Sequence, residues 1–238
     1  MIGAEEKRRP PGDVLVMSSA VPRLDVRINS VFAGGRPVVR DARLRLLPGD
    51  VAVLSGPNGC GKSSLLKALI GEIPAACLFA HPAARRDLAG QVAYLPQSDG
   101  VDASFPFSVD EIVAVAGRPR GEENRRLAAT GAAALRRRSL ASLSGGERRR
   151  VFVARTLLFD RSLYFLDEPA AAVDQASASR LYEAIGARIA ESRAAAIVVA
   201  HDADSAAAHA TLRLRLADGR LDVERLRAPF ATDGEASA

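Results

Sequence analysis

The chain contains no tryptophan, and aromatic side chains make up only 5% of its 238 residues. Its two cysteines, Cys60 and Cys77, are too few for a secreted disulfide scaffold and fit a reducing, cytoplasmic compartment. No apolar leader of the secretory type opens the sequence. No apolar run approaches the roughly 20 residues needed to span a bilayer, so a role at a membrane is expected to pass through a partner. Internal repeats are absent as well. The three histidines, His81, His201 and His209, show no metal-ligand spacing.

What is present fills a globular core: 48% of positions are hydrophobic and 26% charged, enough for one domain with a lobe. The formal charge of +5 permits an acidic partner such as a nucleotide or anionic lipid but does not require one.

The stretch that organises the rest is Gly56-Pro57-Asn58-Gly59-Cys60-Gly61-Lys62-Ser63, which follows the apolar run Val51 to Leu54. It fits the phosphate-binding loop pattern G-x-x-x-x-G-K-[S/T]. Gly56, Gly59 and Gly61 let the backbone turn tightly enough to aim successive N–H groups at one anion, which the start of the following helix also favours. Lys62 is placed to reach the β- and γ-phosphates, Ser63 to coordinate magnesium, and Ser64 to add a phosphate hydrogen bond.

Periodicity lays out the remaining elements. Residues 1–22 are charged and proline-broken and read as a disordered leader, with Met17 an alternative start. Leu24, Val26 and Ile28, then Ala42, Leu44 and Leu46, alternate as strands of an antiparallel flap. A helix is expected over 64–72 and a strand over Gln91–Pro96. Ser108 with Glu111, and Ser144 with Glu147, are capping boxes opening helices over 112–116 and 151–159. Residues 122–138 form a charged helix candidate, in which Arg136 to Arg138 read as a solvated face. Strands over 162–167 and 195–200 flank a helix over 175–192, and 212–223 reads as a hairpin. Residues 228–238 read as a disordered tail.

Leu163 to Leu166 is an apolar strand delivering Asp167 and Glu168 at its C-terminal end, where open α/β sheets bind ligands. Asp167 is expected to hold magnesium, and Glu168 to orient or deprotonate the water that attacks the γ-phosphate. Ser144-Gly145-Gly146-Glu147 repeats the anion-binding parts of the phosphate loop without a lysine. A second such site needs a second phosphate, and the economical geometry is two copies facing head to tail, each offering this helix end to the other's nucleotide. Arg148 to Arg150 follow on the same helix and are expected to pair with carboxylates or nucleotide.

With these motifs in this order, Leu24 to Leu216 resembles the ATP-binding cassette (ABC) family of transporter ATPases, whose signature is the serine-glycine-glycine stretch. The resemblance implies an α/β fold: a P-loop NTPase core with a mostly parallel sheet, an antiparallel β flap and an α-helical subdomain. The subdomain, about 98–160 within an ATPase domain over 23–227, is shorter here than in related transporters. The resemblance also implies that Phe32 stacks on adenine, that Gln97 meets magnesium and the attacking water, that Asp174 is the D-loop carboxylate, and that His201 contacts the γ-phosphate. Glu147 stands where the family usually has glutamine, and Ala171-Ala172-Val173-Asp174 lacks the usual D-loop serine.

The segment from Tyr94-Leu95-Pro96-Gln97 through Phe105-Pro106-Phe107 to Gly117-Arg118 is similar to that of ATPases serving zinc, manganese and metal-chelate importers. Phe105 and Phe107 are candidates for an apolar wall against a permease helix. The expected function is therefore an ATP- and magnesium-dependent ATPase, peripheral on the inner face of the cell membrane. Its expected partners are a second copy, a permease and a substrate-binding protein, without nucleic acid. A soluble cassette ATPase acting on nucleic acid or ribosomes, a transporter of non-metal cargo, and a small-molecule kinase are the competing readings. The kinase leaves Leu143 to Glu147 and His201 unexplained.

Overall fold

The computed structural model describes residues 20–81, 87–88, 90–98, 100 and 107–230. Alternating and continuous apolar runs sort its strands into two sheets. β1 (Leu24–Ala33), β2 (Arg36–Leu46) and β4 (Ala75–His81) form an antiparallel sheet in the order β2-β1-β4. β3 (Val51–Ser55), β5 (Val92–Leu95), β6 (Leu163–Asp167), β7 (Ala195–Val199), β8 (Leu212–Ala217) and β9 (Arg220–Arg225) form the other, in the order β5-β6-β7-β3-β8-β9. Every pairing in this second sheet is parallel except β8 with β9, a hairpin turned through Asp218-Gly219. β4 is a flap strand that the sequence reading missed.

The parallel strands are covered on both faces, which explains why they read as unbroken apolar runs rather than alternations. Val51, Val53, Tyr164, Leu166, Ala196 and Val198 face one core, with helices α4 (Gly145–Leu158) and α5 (Gln175–Ser192) against it. Ala52, Leu54, Leu163, Phe165, Ile197 and Val199 face the other, closed by α1 (Lys62–Ile70) and by the inner residues of β1 and β2. Truncating a fully buried leucine such as Leu54 or Leu66 to alanine is expected to cost ~2–5 kcal/mol. The buried Asp50 fixes the start of β3, since its carboxylate accepts from Thr211 Oγ1 at 2.9 Å and from both terminal nitrogens of Arg225 at 2.8 and 3.1 Å. Phe230 donates its N–H to the Gly49 carbonyl at 2.9 Å and anchors the chain beyond β9.

The lobe is built from α2 (Val109–Ala114), α3 (Arg120–Ala129), two 3₁₀ turns at Ala133–Leu135 and Leu140–Ser142, and the first turns of α4. Both capping boxes form as read, at Ser108 and Ser144. The helix expected over 122–138 is instead the shorter α3, because Gly131 adopts a left-handed φ of 71° after Thr130 and ends it. Arg136 to Arg138 accordingly lie beyond the helix: Arg137 and Arg138 stay exposed, while Arg136 and Arg138 find partners. Arg136 bonds Asp110 at 2.7 Å, Asn124 at 2.6 Å and also Glu123, while Arg138 bonds Glu147 at 2.7 Å. The nearly buried Arg126 reaches Glu191 on α5 at 2.6 Å and ties the lobe to the core. Phe105, Pro106, the leader up to residue 19 and the tail from residue 231 lie outside the described residues. None of the described helices is long and apolar enough to cross a membrane.

Candidate functional site

Four motif segments leave the C-terminal ends of four adjacent parallel strands. Gln97 follows β5, Asp167 and Glu168 end β6, His201 follows β7 and the phosphate loop follows β3. The sheet therefore gathers residues from 56 to 201 along one edge, where ligands of open α/β sheets bind.

In the phosphate loop, Gly56, Gly59 and Gly61 have φ of 150°, 74° and 108°, values that L side chains rarely adopt. A Cβ at Gly61 would lie 2.5 Å from Val38 on β2, so the flap packs directly on the loop. Pro57, Asn58 and Gly59 are exposed, whereas Cys60 and Ser64 are half-buried. α1 begins at Lys62, two residues earlier than read, with Ser63 and Ser64 in its first turn. The Lys62 ammonium donates to the carbonyls of Gly56 at 2.9 Å and Pro57 at 3.0 Å, folding back over its own loop.

Asp167 is only 1% exposed, and neither of its carboxylate oxygens has a hydrogen-bond partner. Burial raises its carboxyl above the usual range and the charge of Glu168 adds to this, while the nearby Ser63 hydroxyl, Arg149 and Lys67 pull the other way. An unpaired buried carboxylate beside a serine hydroxyl fits a hard divalent cation, which takes oxygen donors of this kind. The hydroxyl of Tyr94, on the neighbouring β5, is also buried without a partner, and burial together with the Asp167 charge pushes its ionisation up.

Glu168 sits just past β6 with φ of 53°, a left-handed conformation that is uncommon for a residue with a side chain. Its N–H donates to the Val199 carbonyl at 3.1 Å and its carbonyl accepts from Ala171 N at 3.0 Å. Its carboxylate accepts from Gln97 Nε2 at 3.2 Å. With His201, Tyr182 and Asp202 it lines a cavity of about 390 Å³. Asp174 caps α5, accepting from Ser177 N at 2.9 Å and Ser177 Oγ at 2.7 Å, bonds that hold its carboxyl below the usual range.

Ser144, Gly145, Gly146 and Glu147 open α4 but do not join the phosphate loop. A Cβ on Gly146 would meet the Ala172 carbonyl at 2.6 Å and Val173 Cγ1 at 3.3 Å, so this turn rests on the segment before Asp174. Glu147 donates its N–H to the Ser144 hydroxyl at 3.3 Å, accepts from Ser144 N at 2.8 Å, and pairs with Arg138. Phe32 lies near the end of β1 and is 51% exposed, presenting a free ring face on the flap. Phe107 is 42% exposed ahead of α2.

The three arginines after the signature also make contacts that the sequence reading did not name, while the charge of Arg149 acts on the Asp167 carboxylate as expected. Arg148 lies over the Phe152 ring at 5.8 Å, and Arg150 donates to Ser177 Oγ at 3.4 Å. Arg149, 7% exposed, donates to the carbonyls of Glu168 at 3.0 Å, Pro96 at 2.9 Å, Gln97 at 3.3 Å and Asp167. Its position was legible in helical phase, since Val153 and Thr156 lie four and seven residues on and are both buried.

The sequence profile described as ABC transporter matches residues 39–171. The zinc import ATP-binding protein ZnuC of Halorhodospira halophila is 34% identical over 204 residues, covering 84% of this chain and 76% of that protein. The hemin import ATP-binding protein HmuV of Streptomyces coelicolor is 36% identical over 232 residues, covering 89% and 78%. Among solved structures, an ATP-binding subunit of an ABC transporter superposes with a TM-score of 0.71 at 22% identity, over 85% of this chain and 90% of that one. The cbiO1 chain of Clostridium perfringens, part of the cbiONQ ABC transporter complex, does so with a TM-score of 0.69 at 22% identity, over 84% and 87%. At that identity the superpositions speak to the fold.

Proposed function

The chain belongs to the ABC transporter family and is an ATPase of it, and from that premise we propose that it powers import of a metal ion, zinc or manganese, or of a metal chelate through a membrane permease. The observation that carries the catalytic reading is the Gln97–Glu168 bond beside the unpaired Asp167, all at the strand ends next to the phosphate loop. The cargo reading is supported by the relatives, which include import proteins for zinc and for hemin.

In this reading the ATPase domain spans 23–227, with its helical subdomain over about 98–160. Lys62 swings from the Gly56 and Pro57 carbonyls to the β- and γ-phosphates, exchanging neutral acceptors for charged ones. Backbone N–H groups from Pro57-flanked Gly56 to Ser64 cradle the phosphates, Cys60 among them, while Asn58 and Gly59 form the outer turn and Phe32 stacks on the base. Asp167, Ser63 and the Gln97 amide oxygen would hold magnesium, which when bound would supply positive charge to offset that of the nucleotide phosphates. Glu168 orients the attacking water and takes its proton, and His201, which lines the same cavity, contacts the γ-phosphate.

The turn Ser144 to Glu147 rests on the Ala172-Val173 segment before Asp174, which is compatible with a head-to-tail dimer in which it completes the partner's site, with Asp174 at the junction. The permease, a substrate-binding protein and a peripheral position on the inner membrane face follow from the importer reading. Phe107 is the described part of the permease-facing wall. Deleting the gene is expected to cause a growth defect under chelation that zinc or manganese repairs. Repair by haem alone shifts the cargo within the class, and growth indifferent to metals and chelates overturns the cargo.

A further inference from the structure

One guanidinium holds the ends of two strands together. Arg149 sits on α4 five residues after Ser144, and its three nitrogens donate to the carbonyls of Pro96 and Gln97 after β5 and of Asp167 and Glu168 at the end of β6. Those are the backbones of the two side chains that bond each other, Gln97 and Glu168. The same helix begins at Ser144-Gly145-Gly146, whose first turn lies on the Ala172 carbonyl with no room for a Cβ. A rigid helix thus carries at one end the turn read as facing the other subunit's nucleotide. One and a half turns further on it carries the clamp on its own hydrolytic pair.

We propose that Arg149 is a positioning residue that makes the Gln97–Glu168 geometry of one subunit depend on nucleotide bound in the other. The inference rests on the head-to-tail dimer reading. A shift of α4 as its N-terminus closes on the neighbour's nucleotide is passed, through four charge-assisted hydrogen bonds, to the loop after β5 and the loop after β6 together. The planar fork is what makes this possible: it offers five donors in fixed directions, whereas a lysine offers three from one point. Burial keeps water from replacing the carbonyls as acceptors, so the link is not diluted by alternative partners. Glu168 is the clamped residue that most needs such support, because a left-handed backbone conformation is costly for a residue with a side chain and persists only when its surroundings hold it.

The test compares the full-length parent with Arg149→Gln and Arg149→Lys in ATP hydrolysis measured against ATP concentration, with nucleotide affinity measured separately by a fluorescent ATP analogue. Both variants are expected to lower kcat at least about tenfold, as misplacement of a reacting group does. Nucleotide affinity should stay near the parent's, and the Hill coefficient should fall from above one to one. A merely structural role would lower folded protein without changing the Hill coefficient of what remains. Arg149→Lys keeps a cation of similar length in the slot and carries the test where Arg149→Gln does not fold. Parental kcat and cooperativity in the folded variants overturn the role of Arg149 alone. A parent that hydrolyses without cooperativity, and whose Glu168→Gln variant stays monomeric with ATP, overturns the dimer reading beneath it.

Discussion

The side-chain amide of Gln97 donates to the carboxylate of Glu168 across 3.2 Å, joining residues that follow adjacent parallel strands and lie 71 positions apart in sequence. In the hydrolysis reading this bond sets the carboxylate that handles water and leaves the amide oxygen for magnesium. Gln97→Ala is expected to lower kcat by about tenfold to a hundredfold while ATP affinity changes little. Lys62→Ala should instead weaken nucleotide binding and abolish turnover, since it removes the mobile charge of the phosphate loop. A binding isotherm beside a steady-state assay separates the two.

Asp167 buries two carboxylate oxygens without a geometric hydrogen-bond partner, a cost that the nearby Ser63 hydroxyl, Arg149 and Lys67 offset only in part, since its carboxyl stays above the usual range. Replacing Asp167 by Asn removes the charge, keeps the shape and is expected to stabilise the nucleotide-free chain by ~1–3 kcal/mol. In a chain of this length that is a rise in melting temperature of roughly 2–10 °C. Magnesium with ATP should raise the melting temperature of the parent more than that of Asp167→Asn, whose hydrolysis is lost. Differential scanning fluorimetry reads both effects.

Gly146 opens α4 against the Ala172 carbonyl. A glycine-to-alanine change inside a helix usually stabilises by about 1 kcal/mol. Here the added methyl would meet backbone at 2.6 Å, so the sign reverses and the turn or the segment before Asp174 must move. Gly146→Ala is expected to bind ATP as the parent does and to hydrolyse it at least about tenfold more slowly. Equilibrium nucleotide binding against kcat is the measurement.

Arg138 pairs with Glu147 at 2.7 Å, an acidic residue at the end that is read as facing the partner's phosphates. Backbone and hydroxyl bonds from Ser144 hold the Glu147 carboxyl below the usual range, with Arg138 adding to them. Removing the cation leaves a bare negative charge facing an anion. Arg138→Ala should therefore raise the half-saturating ATP concentration severalfold, Glu147→Gln should be near parental, and the double variant should recover. A double-mutant cycle on the ATP dependence checks this.

The parallel strands, the phosphate loop, both capping boxes and α5 were legible because each is a local pattern: an apolar run, a glycine spacing, a serine three residues before a glutamate. β4 was not, because Ala75 to His81 alternates weakly and owes its strand to pairing with β1. The end of α3 turned on Gly131, whose left-handed φ outweighs the helix-forming alanines around it. Arg136 to Arg138 read as solvated because charge runs usually are, while the carboxylate partners of Arg136 and Arg138 lie on other elements. Arg149 escaped for a related reason: its partners are backbone carbonyls, which carry no sequence signal.

The central claim is that this chain hydrolyses ATP between two copies of itself, with Glu168 handling the water. It is tested most directly by the mass of Glu168→Gln in solution with magnesium and ATP, measured by size exclusion with light scattering. The account predicts tight ATP binding, stalled hydrolysis and twice the monomer mass, reverting to monomer with ADP. A Glu168→Gln protein that turns over ATP at the parental rate, or that binds ATP and stays at the monomer mass, would contradict it.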